Sequence, residues 1–236
     1  MKFRDFFDRV SIINLIERTD RRAEILDELE RAGLQPEPGR IEFFPAVKVT
    51  EAAGFINAGY HGCFRSHLGV LRQARAQGAA NVLVFEDDAA ISSRFRRDEE
   101  SLVEELSTTE WGIVYFGHAL EGFADRPTYL KRYNEPVMLA HFYAVNVKYW
   151  DRLIDLMEKM LQRPAGHPDG GPMSPDGALH FFLMKNPDVP CHVTTPNLGI
   201  QRSSRSDLLP KWFDGVPVLR QAASSLRKVK RWMKGT

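Results

Sequence analysis

The chain has 236 residues, of which 43% are hydrophobic and 27% are charged, and its mean hydropathy is -0.33. This balance is typical of a soluble globular protein and excludes disordered, collagen-like and membrane-spanning classes, because every apolar run is far shorter than the roughly 18 residues that cross a bilayer. The net charge of +1 also excludes nucleic-acid binding by the body of the chain on electrostatic grounds.

In chain order, the apolar patterns predict strands that alternate with helices. A β-branched run within residues 9–16 predicts the first strand, and Thr19 is the predicted N-cap of a helix that ends at Gly33. Further strands are predicted within 41–47, 82–85, 111–117, 129–133 and 137–145, and further helices within 63–77, 147–161 and 177–185. The alternation predicts one α/β domain over residues 1–217, with a mostly parallel central sheet flanked by helices. The Pro- and Gly-rich stretch 163–175 is interpreted as a binding loop or lid.

Residues 218–236 form a separate basic tail. The tail contains six basic residues and no acid, and its apolar residues fall near helical spacing. This pattern predicts a short amphipathic helix that lies on an anionic membrane surface, with a solvated C-terminal helix or a frayed end as the alternative. Because the chain has two cysteines and acids where a signal peptide needs an apolar core, we expect a cytoplasmic protein, peripheral on the inner face of the membrane.

Three consecutive carboxylates, Glu86, Asp87 and Asp88, follow the apolar strand at 82–85. Buried like charges repel one another, and a divalent cation such as Mg²⁺ or Mn²⁺ removes that cost. In an extended chain Glu86 and Asp88 point to the same side and Asp87 to the other. The sequence therefore predicts a metal site here; a solvated turn or a helix N-cap is the alternative.

A carboxylate-bound cation with open positions mostly serves phosphate oxygens, which favours phosphoryl, nucleotidyl or glycosyl transfer. The chain has no Walker loop and no Gly-x-Ser-x-Gly, so P-loop ATPases and serine hydrolases are not supported. Zinc is not expected, because the seven histidines are scattered and neither Cys63 nor Cys191 has a partner at ligand spacing. Cys63 is interpreted as core packing.

Six short segments between about residues 10 and 208 together resemble the motifs of a known protein family. They are Ile13–Leu15 with Arg18 and Asp20–Arg22, Gly62–His67, Val84–Ala89, His141–Val145, Ser174–Asp176, and Gln201 with Ser206 and Asp207. In this order they resemble the motifs of glycosyltransferase family 25, the lipooligosaccharide-type β-galactosyltransferases. The resemblance implies a GT-A-like fold, a UDP-sugar donor, Mn²⁺ or Mg²⁺, and inversion at the anomeric carbon.

The resemblance also implies roles for single residues. Asp88 and Glu86 are the candidate metal ligands, and Asp87 either binds metal or anchors its loop. Asp176 is the candidate catalytic base, with a helix cap as the alternative. The candidate nucleotide-binding residues are Asn14, Arg18, Arg21, Ser66 and His67, with Glu86 and Asp87, and the candidate sugar-binding residues are His141, Tyr143, Gln201 and Asp207. Solvated helix surface is the alternative for Arg21 or Arg22, a structural histidine is the alternative for His67, and for His192 a core position is favoured over a metal ligand.

The predicted function is inverting, metal-dependent transfer of a hexose, galactose favoured, from a UDP-sugar to a glycan or glycolipid acceptor such as lipopolysaccharide core. The alternatives are a divalent-metal phosphoesterase or nucleotidyltransferase and a catalytically silent nucleotide-sugar-binding protein. Residues 58–61 and the loop 164–172 depart from the family pattern, which leaves the identity of the acceptor open.

Overall fold

A seven-stranded mixed sheet forms the centre of the protein in a computed structural model that describes residues 1–120 and 128–202. The strands are β1 (Arg9–Asn14), β2 (Ile41–Pro45), β3 (Asn81–Glu86), β4 (Ala89–Ile91), β5 (Ile113–Tyr115), β6 (Tyr129–Arg132), β7 (Phe142–Asn146), β8 (Cys191–Thr195) and β9 (Gly199–Gln201). The helices are α1 (Phe3–Phe6), α2 (Thr19–Ala32), α3 (Ala58–Ala76), α4 (Ser93–Arg97), α5 (Glu99–Thr108), α6 (Val147–Gln162) and α7 (Pro175–Lys185).

The strand order in the large sheet is β2-β1-β3-β7-β5-β8-β6, and β4 pairs with β9 in a separate two-stranded sheet. Strands β1, β2 and β3 are mutually parallel, β7 is antiparallel to both of its neighbours, and β6 is antiparallel to β8. The predicted α/β architecture with a mostly parallel sheet is confirmed. The hydrophobic pattern did not reveal that β7 runs antiparallel to its neighbours, because a buried strand is apolar on both faces whichever way it runs.

The central strand β3 shows how the sheet divides the core. Val82 and Val84 pack with α3, α6 and α7 on one face, whereas Leu83 and Phe85 pack with α1, α2, α4 and α5 on the other. All four side chains are fully buried. Successive strand residues point to opposite faces, so an uninterrupted apolar run is what a strand covered by helices on both sides requires.

Three predicted helix starts differ from the structure, and α7 begins at Pro175, two residues before the predicted start. Arg18, not Thr19, is the N-cap of α2, and it makes no side-chain cap hydrogen bond. Helix α3 begins at Ala58, five residues before the predicted start, because the Asn57 side chain caps it by accepting a hydrogen bond from the Tyr60 N–H. Residues 58–62 at the start of α3 include two glycines and no apolar stripe. The periodicity of apolar residues therefore did not predict this part of the helix.

Helices α1, α4 and α5 and strands β4, β8 and β9 were not predicted. They are short, and β4 and β9 have three residues each, too few to show a period. The basic tail 218–236 and Asp207 lie outside the described residues. Within the described part of the chain, no helix is both long enough and apolar enough to cross a bilayer.

The candidate residues converge because of strand direction. The parallel strands β1 and β3 end side by side, with Ile13 opposite Glu86 in the register. Strand β7 runs the other way, so its first residues meet the same edge, and the His141 carbonyl accepts a hydrogen bond from the Glu86 N–H at 2.8 Å. Strand β9 then pairs with β4 just beyond the three acids, which brings Gln201 opposite Ala89.

Candidate functional site

A cavity of about 280 Å³ lies at the carboxyl ends of β1 and β3, between the N-terminal half of α3 and the segment 46–49. Ligand sites in open α/β sheets occur at this edge. Its charged and polar lining consists of Glu86, Asp87, Asp88, Arg21, Lys48, Ser66, Cys63 and Gln201. The cavity therefore contains three carboxylates and two cationic side chains, a combination suited to a ligand that carries phosphates and a cation.

Asp87 is held by two side chains from the end of β1 and the start of α2. The Asn14 amide donates to Oδ2 at 2.8 Å, and the Arg21 guanidinium donates to Oδ1 at 3.0 Å. Burial raises the pKa of Asp87 even so, with the two donors acting in the opposite direction. Asp87 thus anchors the acidic turn to α2, the second of the two roles considered for it.

We expect Arg21→Ala to lower the free energy of unfolding by about 3 kcal/mol, because it leaves Asp87 as a buried charge with one of its two donors removed. The measurement is urea unfolding at pH 7. Arg18→Ala is the matched control: Arg18 pairs with Asp20, whose side chain is 63% exposed, so the change there should stay below about 1 kcal/mol. Equal effects of the two substitutions would contradict the buried ion pair.

Glu86 and Asp88 face each other across the Gln201 amide. Its Nε2 lies 3.2 Å from Asp88 Oδ2 and 3.4 Å from Glu86 Oε2. The nearest guanidinium nitrogen, of Arg21, is 3.8 Å from Asp88. Burial and, after it, the charge of Glu86 raise the pKa of Asp88 to about 7. The negative charge of this pair is therefore poorly compensated by the described residues.

The donor set fits a hard divalent cation. Glu86 and Asp88 supply carboxylate oxygens, and oxygen ligands are the ones Mg²⁺ and Mn²⁺ prefer. The raised pKa of Asp88 has the same origin, since a site short of positive charge disfavours a second ionised carboxylate. The two predicted metal ligands therefore line one cavity, and the Gln201 amide nitrogen donates to both.

His67 lies behind Glu86 and is almost completely buried. Its Nε2 is 3.1 Å from Glu86 Oε1, and its Nδ1 is 2.9 Å from the Tyr143 hydroxyl. Because an ionised carboxylate only accepts, Nε2 is assigned the proton and Nδ1 accepts from the tyrosine O–H. Burial is the largest effect and opposes ionisation of Glu86, but the hydrogen bond and the electrostatic interaction with His67, together with that of His141, outweigh it, and the pKa of Glu86 lies below its usual value. His67 and Tyr143 orient Glu86 and do not line the cavity.

Several other candidates occupy positions that differ from the prediction. The Asn14 amide nitrogen is directed at Asp87 and the Arg18 carbonyl, and Asn14 is not part of the cavity wall. Ser66 lines the cavity, but its hydroxyl donates to the Gly62 carbonyl and accepts from the Val47 N–H. In the structure these two side chains fix the walls of the cavity, and their contact with a nucleotide stays a prediction.

Arg18, His141, Asp176 and His192 do not line the cavity. His141 is buried at the start of β7, and burial lowers its pKa to about 4, so it is neutral at pH 7. His192 lies in β8, opposite Arg132 of β6, so the core position favoured for it is the observed one.

Asp176 is not the N-cap of α7. The cap is Ser174, whose Oγ accepts from the Gly177 N–H, and Pro175 follows it. Asp176 accepts hydrogen bonds from the Gly177 N–H at 2.9 Å and from the Leu139 N–H at 3.2 Å. Its charge opposes ionisation of both Glu86 and Cys63, whose pKa values would be lower without it, but Asp176 does not line the cavity.

The sequence interpretation missed Cys63. Its Sγ, His67 Nε2 and Glu86 Oε1 all lie within 4.8 Å of one another, so the statement that neither cysteine has a ligand partner is wrong for Cys63. Cys63 and His67 are four residues apart on α3, and that spacing puts two side chains on one helix face. The spacing was the available signal, whereas the approach of Glu86 depends on the packing of α3 against β3.

Comparison with known proteins gives a partial sequence match and a match of fold. No family model matches the chain. Over 129 residues, 47% of this chain, it is 32% identical to the inactive glycosyltransferase 25 family member 3 of Homo sapiens and 27% identical to procollagen galactosyltransferase 2 of Mus musculus. The match covers 22% and 21% of those relatives, so this chain corresponds to about a fifth of their length.

The fold is similar to that of a solved glycosyltransferase involved in the glycosylation of the major capsid of PBCV-1. The TM-score is 0.51 with 10% sequence identity, covering 83% of this chain and 94% of the other. The resemblance inferred from the short motifs is confirmed: over about half its length the chain is similar in sequence to glycosyltransferase 25 family members and procollagen galactosyltransferases, and it has a glycosyltransferase fold.

Proposed function

We propose that the chain is an inverting, metal-dependent glycosyltransferase. It transfers a hexose, galactose favoured, from a UDP-sugar to a hydroxyl of a glycan or glycolipid such as lipopolysaccharide core. The observation that carries this proposal is the cavity at the ends of β1 and β3, in which the carboxylates of Glu86 and Asp88 converge on the Gln201 amide. The similarity to procollagen galactosyltransferases supports the choice of sugar transfer over other reactions of phosphate-bearing donors.

In this proposal Asp88 and Glu86 would hold Mn²⁺ or Mg²⁺, whose charge would offset that of the departing UDP. His67, itself oriented by Tyr143, keeps Glu86 ionised and correctly turned. Arg21 lies between Asp87 and Asp88 and fixes the turn that carries them. Lys48, on the exposed rim, supplies positive charge toward the phosphates.

The direct test is donor hydrolysis and transfer by the purified chain. With a panel of UDP-hexoses and Mn²⁺ we expect release of UDP, and we expect a chelator to abolish it. Differential scanning fluorimetry should show a higher melting temperature with UDP and Mn²⁺ together, because a ligand specific to the folded state stabilises it by mass action. Release of sugar phosphate in place of UDP would indicate a phosphoesterase, and turnover that survives the chelator would contradict the proposed mechanism.

Asp176 is the proposed base that accepts the proton of the acceptor hydroxyl. Support comes from its proximity to the acidic cluster, where its charge is felt by Glu86 and Cys63. Its Leu139 partner has a positive φ of 79°, an uncommon conformation for leucine that the Asp176 hydrogen bond helps to hold. A shift of this segment on acceptor binding would bring the carboxylate to the cavity.

We expect Asp176→Asn to reduce transfer by about a hundredfold or more while leaving UDP binding unchanged, since a base acts on the acceptor and not on the donor. Asparagine retains an oxygen that can accept from the Leu139 or Gly177 N–H, so the fold should persist. Transfer rates and UDP affinity measured on the same preparation separate the two effects. A proportional loss of both would assign Asp176 a structural role only.

A catalytically silent nucleotide-sugar-binding protein is the second candidate, because one of the similar relatives carries the name inactive. A silent protein should bind UDP as the enzyme would, but it should not release UDP from any donor. Isothermal titration with UDP and Mn²⁺, run beside the transfer assay, distinguishes the two. Binding without UDP release from any donor, in the presence of a broad set of sugar acceptors, would favour the silent protein.

A glycolipid acceptor would lie at a membrane surface. The basic tail 218–236 is proposed to hold the enzyme at an anionic cytoplasmic surface near a glycolipid acceptor. Sedimentation with anionic vesicles, with and without the tail, tests this, and equal binding of the two forms would remove the tail from the proposal.

A further inference from the structure

A second group of ligand atoms lies beside the carboxylate pair and has a different chemical character. Cys63 Sγ, His67 Nε2 and Glu86 Oε1 come within 4.8 Å of one another. They combine a thiol, an imidazole and a carboxylate, and sulfur with nitrogen favours zinc-like ions over Mg²⁺ or Mn²⁺. Cys63 also lines the cavity, so the group is reachable from the ligand side.

The separations of these atoms match a small tetrahedral ion. Bonds of about 2.0 to 2.3 Å around tetrahedral zinc place neighbouring ligand atoms about 3.3 to 3.7 Å apart. His67 Nε2 is 3.1 Å from Glu86 Oε1, and Cys63 Sγ is 3.9 Å from the same oxygen. Both separations lie within a few tenths of an ångström of the tetrahedral values, and the thiol and the imidazole of the third pair lie within 4.8 Å of each other.

The histidine is already oriented by an outer partner. Tyr143 contacts His67 Nδ1 at 2.9 Å, and the rings are stacked with centroids 5.7 Å apart. A metal-binding histidine is typically fixed in this way through the ring nitrogen that does not bind the ion. Since Nδ1 is occupied by the tyrosine, Nε2 is the nitrogen aimed at Glu86 and at the thiol.

The two carboxylate oxygens of Glu86 face different partners. Oε1 faces Cys63 and His67, whereas Oε2 faces Gln201, which also contacts Asp88. Three protein ligands would hold an ion on the first side, and the cavity leaves its fourth position open, as in zinc sites that bind water or a ligand. Glu86 is thus common to the proposed donor-metal site and to the thiol-containing group.

We propose that Cys63, His67 and Glu86 form a binding site for one thiophilic divalent cation, such as Zn²⁺, distinct from the hard-cation site of Asp88. On binding, the Cys63 thiol becomes a thiolate and its proton leaves to solvent through the cavity. The His67 imidazole stays neutral and changes tautomer: Nε2 loses its proton to bind the ion, and Nδ1 gains one and donates it to the Tyr143 oxygen. Binding of the ion does not depend on the proposed transferase function. Where that function holds, the consequence is inhibition by zinc, because zinc takes Glu86 away from the donor metal.

Without an ion, the Cys63 thiol lies 3.9 Å from the Glu86 carboxylate oxygen. A bound divalent cation reverses the electrostatic effect of the carboxylate and deprotonates a coordinating thiol. The site therefore discriminates by ion chemistry: an ion with little affinity for sulfur leaves the thiol protonated and occupies the oxygen ligands instead.

The test uses Co²⁺ as a spectroscopic probe on the full, metal-stripped chain, with no sugar nucleotide present. We expect one equivalent of Co²⁺ to give the near-ultraviolet thiolate-to-cobalt band and the intense visible bands of a tetrahedral ion, and Zn²⁺ to remove both. Cys63→Ser should abolish the near-ultraviolet band and weaken binding by at least about tenfold. Cys191→Ser is the matched control, because it removes the only other thiol and should leave the spectrum unchanged.

Cys63 is partly exposed, so its serine variant is expected to fold, and circular dichroism checks this. Should it not fold, Tyr143→Phe serves in its place: it removes only the hydroxyl that orients His67 and should weaken Co²⁺ binding by about tenfold. The proposal is overturned if the folded wild type gives no thiolate-to-cobalt band, or if that band is retained in Cys63→Ser and lost in Cys191→Ser.

Discussion

The substitution Asp88→Asn should stabilise the metal-free protein and at the same time remove its activity. Asp88 is only 8% exposed, and its pKa is raised to about 7 by burial and by Glu86. Because Asp88 in the unfolded chain ionises near the ordinary aspartate pKa of 3.8, the free energy of unfolding should fall as the pH rises from about 4 to about 7. Asparagine removes that loss, and we expect a gain of about 1–3 kcal/mol at pH 7.

The same variant should lose the response to metal. Mn²⁺ with UDP should raise the melting temperature of the wild type and leave that of Asp88→Asn unchanged, and transfer should fall by about a hundredfold or more. The measurements are urea unfolding at pH 5 and pH 7 and the transfer assay. Asp151→Asn serves as a control, since the Asp151 side chain is 74% exposed beside Arg75 and should change neither quantity. A less stable Asp88→Asn protein would contradict the uncompensated charge.

The substitution with the largest expected effect on the shape of the site is Gly62→Ala. A Cβ at Gly62 would lie 2.4 Å from the Val47 carbonyl oxygen, well inside van der Waals contact, and the obstacle is backbone. Ser66 ties the same segment to α3 by accepting from the Val47 N–H and donating to the Gly62 carbonyl. Helix and segment must therefore separate, and we expect destabilisation of about 2–3 kcal/mol despite the better helix propensity of alanine.

Both walls of the cavity move in this variant, because Val47, Gly62 and Ser66 all line it. UDP binding should consequently weaken together with stability, which titration calorimetry and urea unfolding would record. Gly177→Ala in α7 is the matched control: its Cβ would meet the Ser174 hydroxyl at 3.1 Å and the Met173 side chain at 3.5 Å. These side chains can adjust, so stability should change by less than about 1 kcal/mol. Unchanged UDP binding in Gly62→Ala would refute the close contact.

The sequence by itself determined the parts of the fold that depend on local pattern. The apolar run before Glu86 predicted a buried strand that ends in acids, and the alternation of strands with amphipathic helices predicted the α/β layers. The order of short motifs identified the resemblance to glycosyltransferase family 25, which the partial match to curated relatives confirms. These inferences succeed because period and residue type are recorded in neighbouring positions.

Only the tertiary structure decided which side chains meet. Gln201 reaches Glu86 and Asp88 across 113 to 115 positions of chain, and it does so because β9 pairs with β4. Asn14 and Arg21 donate hydrogen bonds to Asp87, and His67 donates one to Glu86. These contacts form because β1 and β3 end, and the antiparallel strand β7 begins, at the same edge of the sheet. Strand direction and helix packing create these contacts, and neither can be predicted from the spacing of residues along the chain. For the same reason the sequence named Glu86 as a metal ligand and overlooked Cys63, which approaches it only when α3 packs against β3.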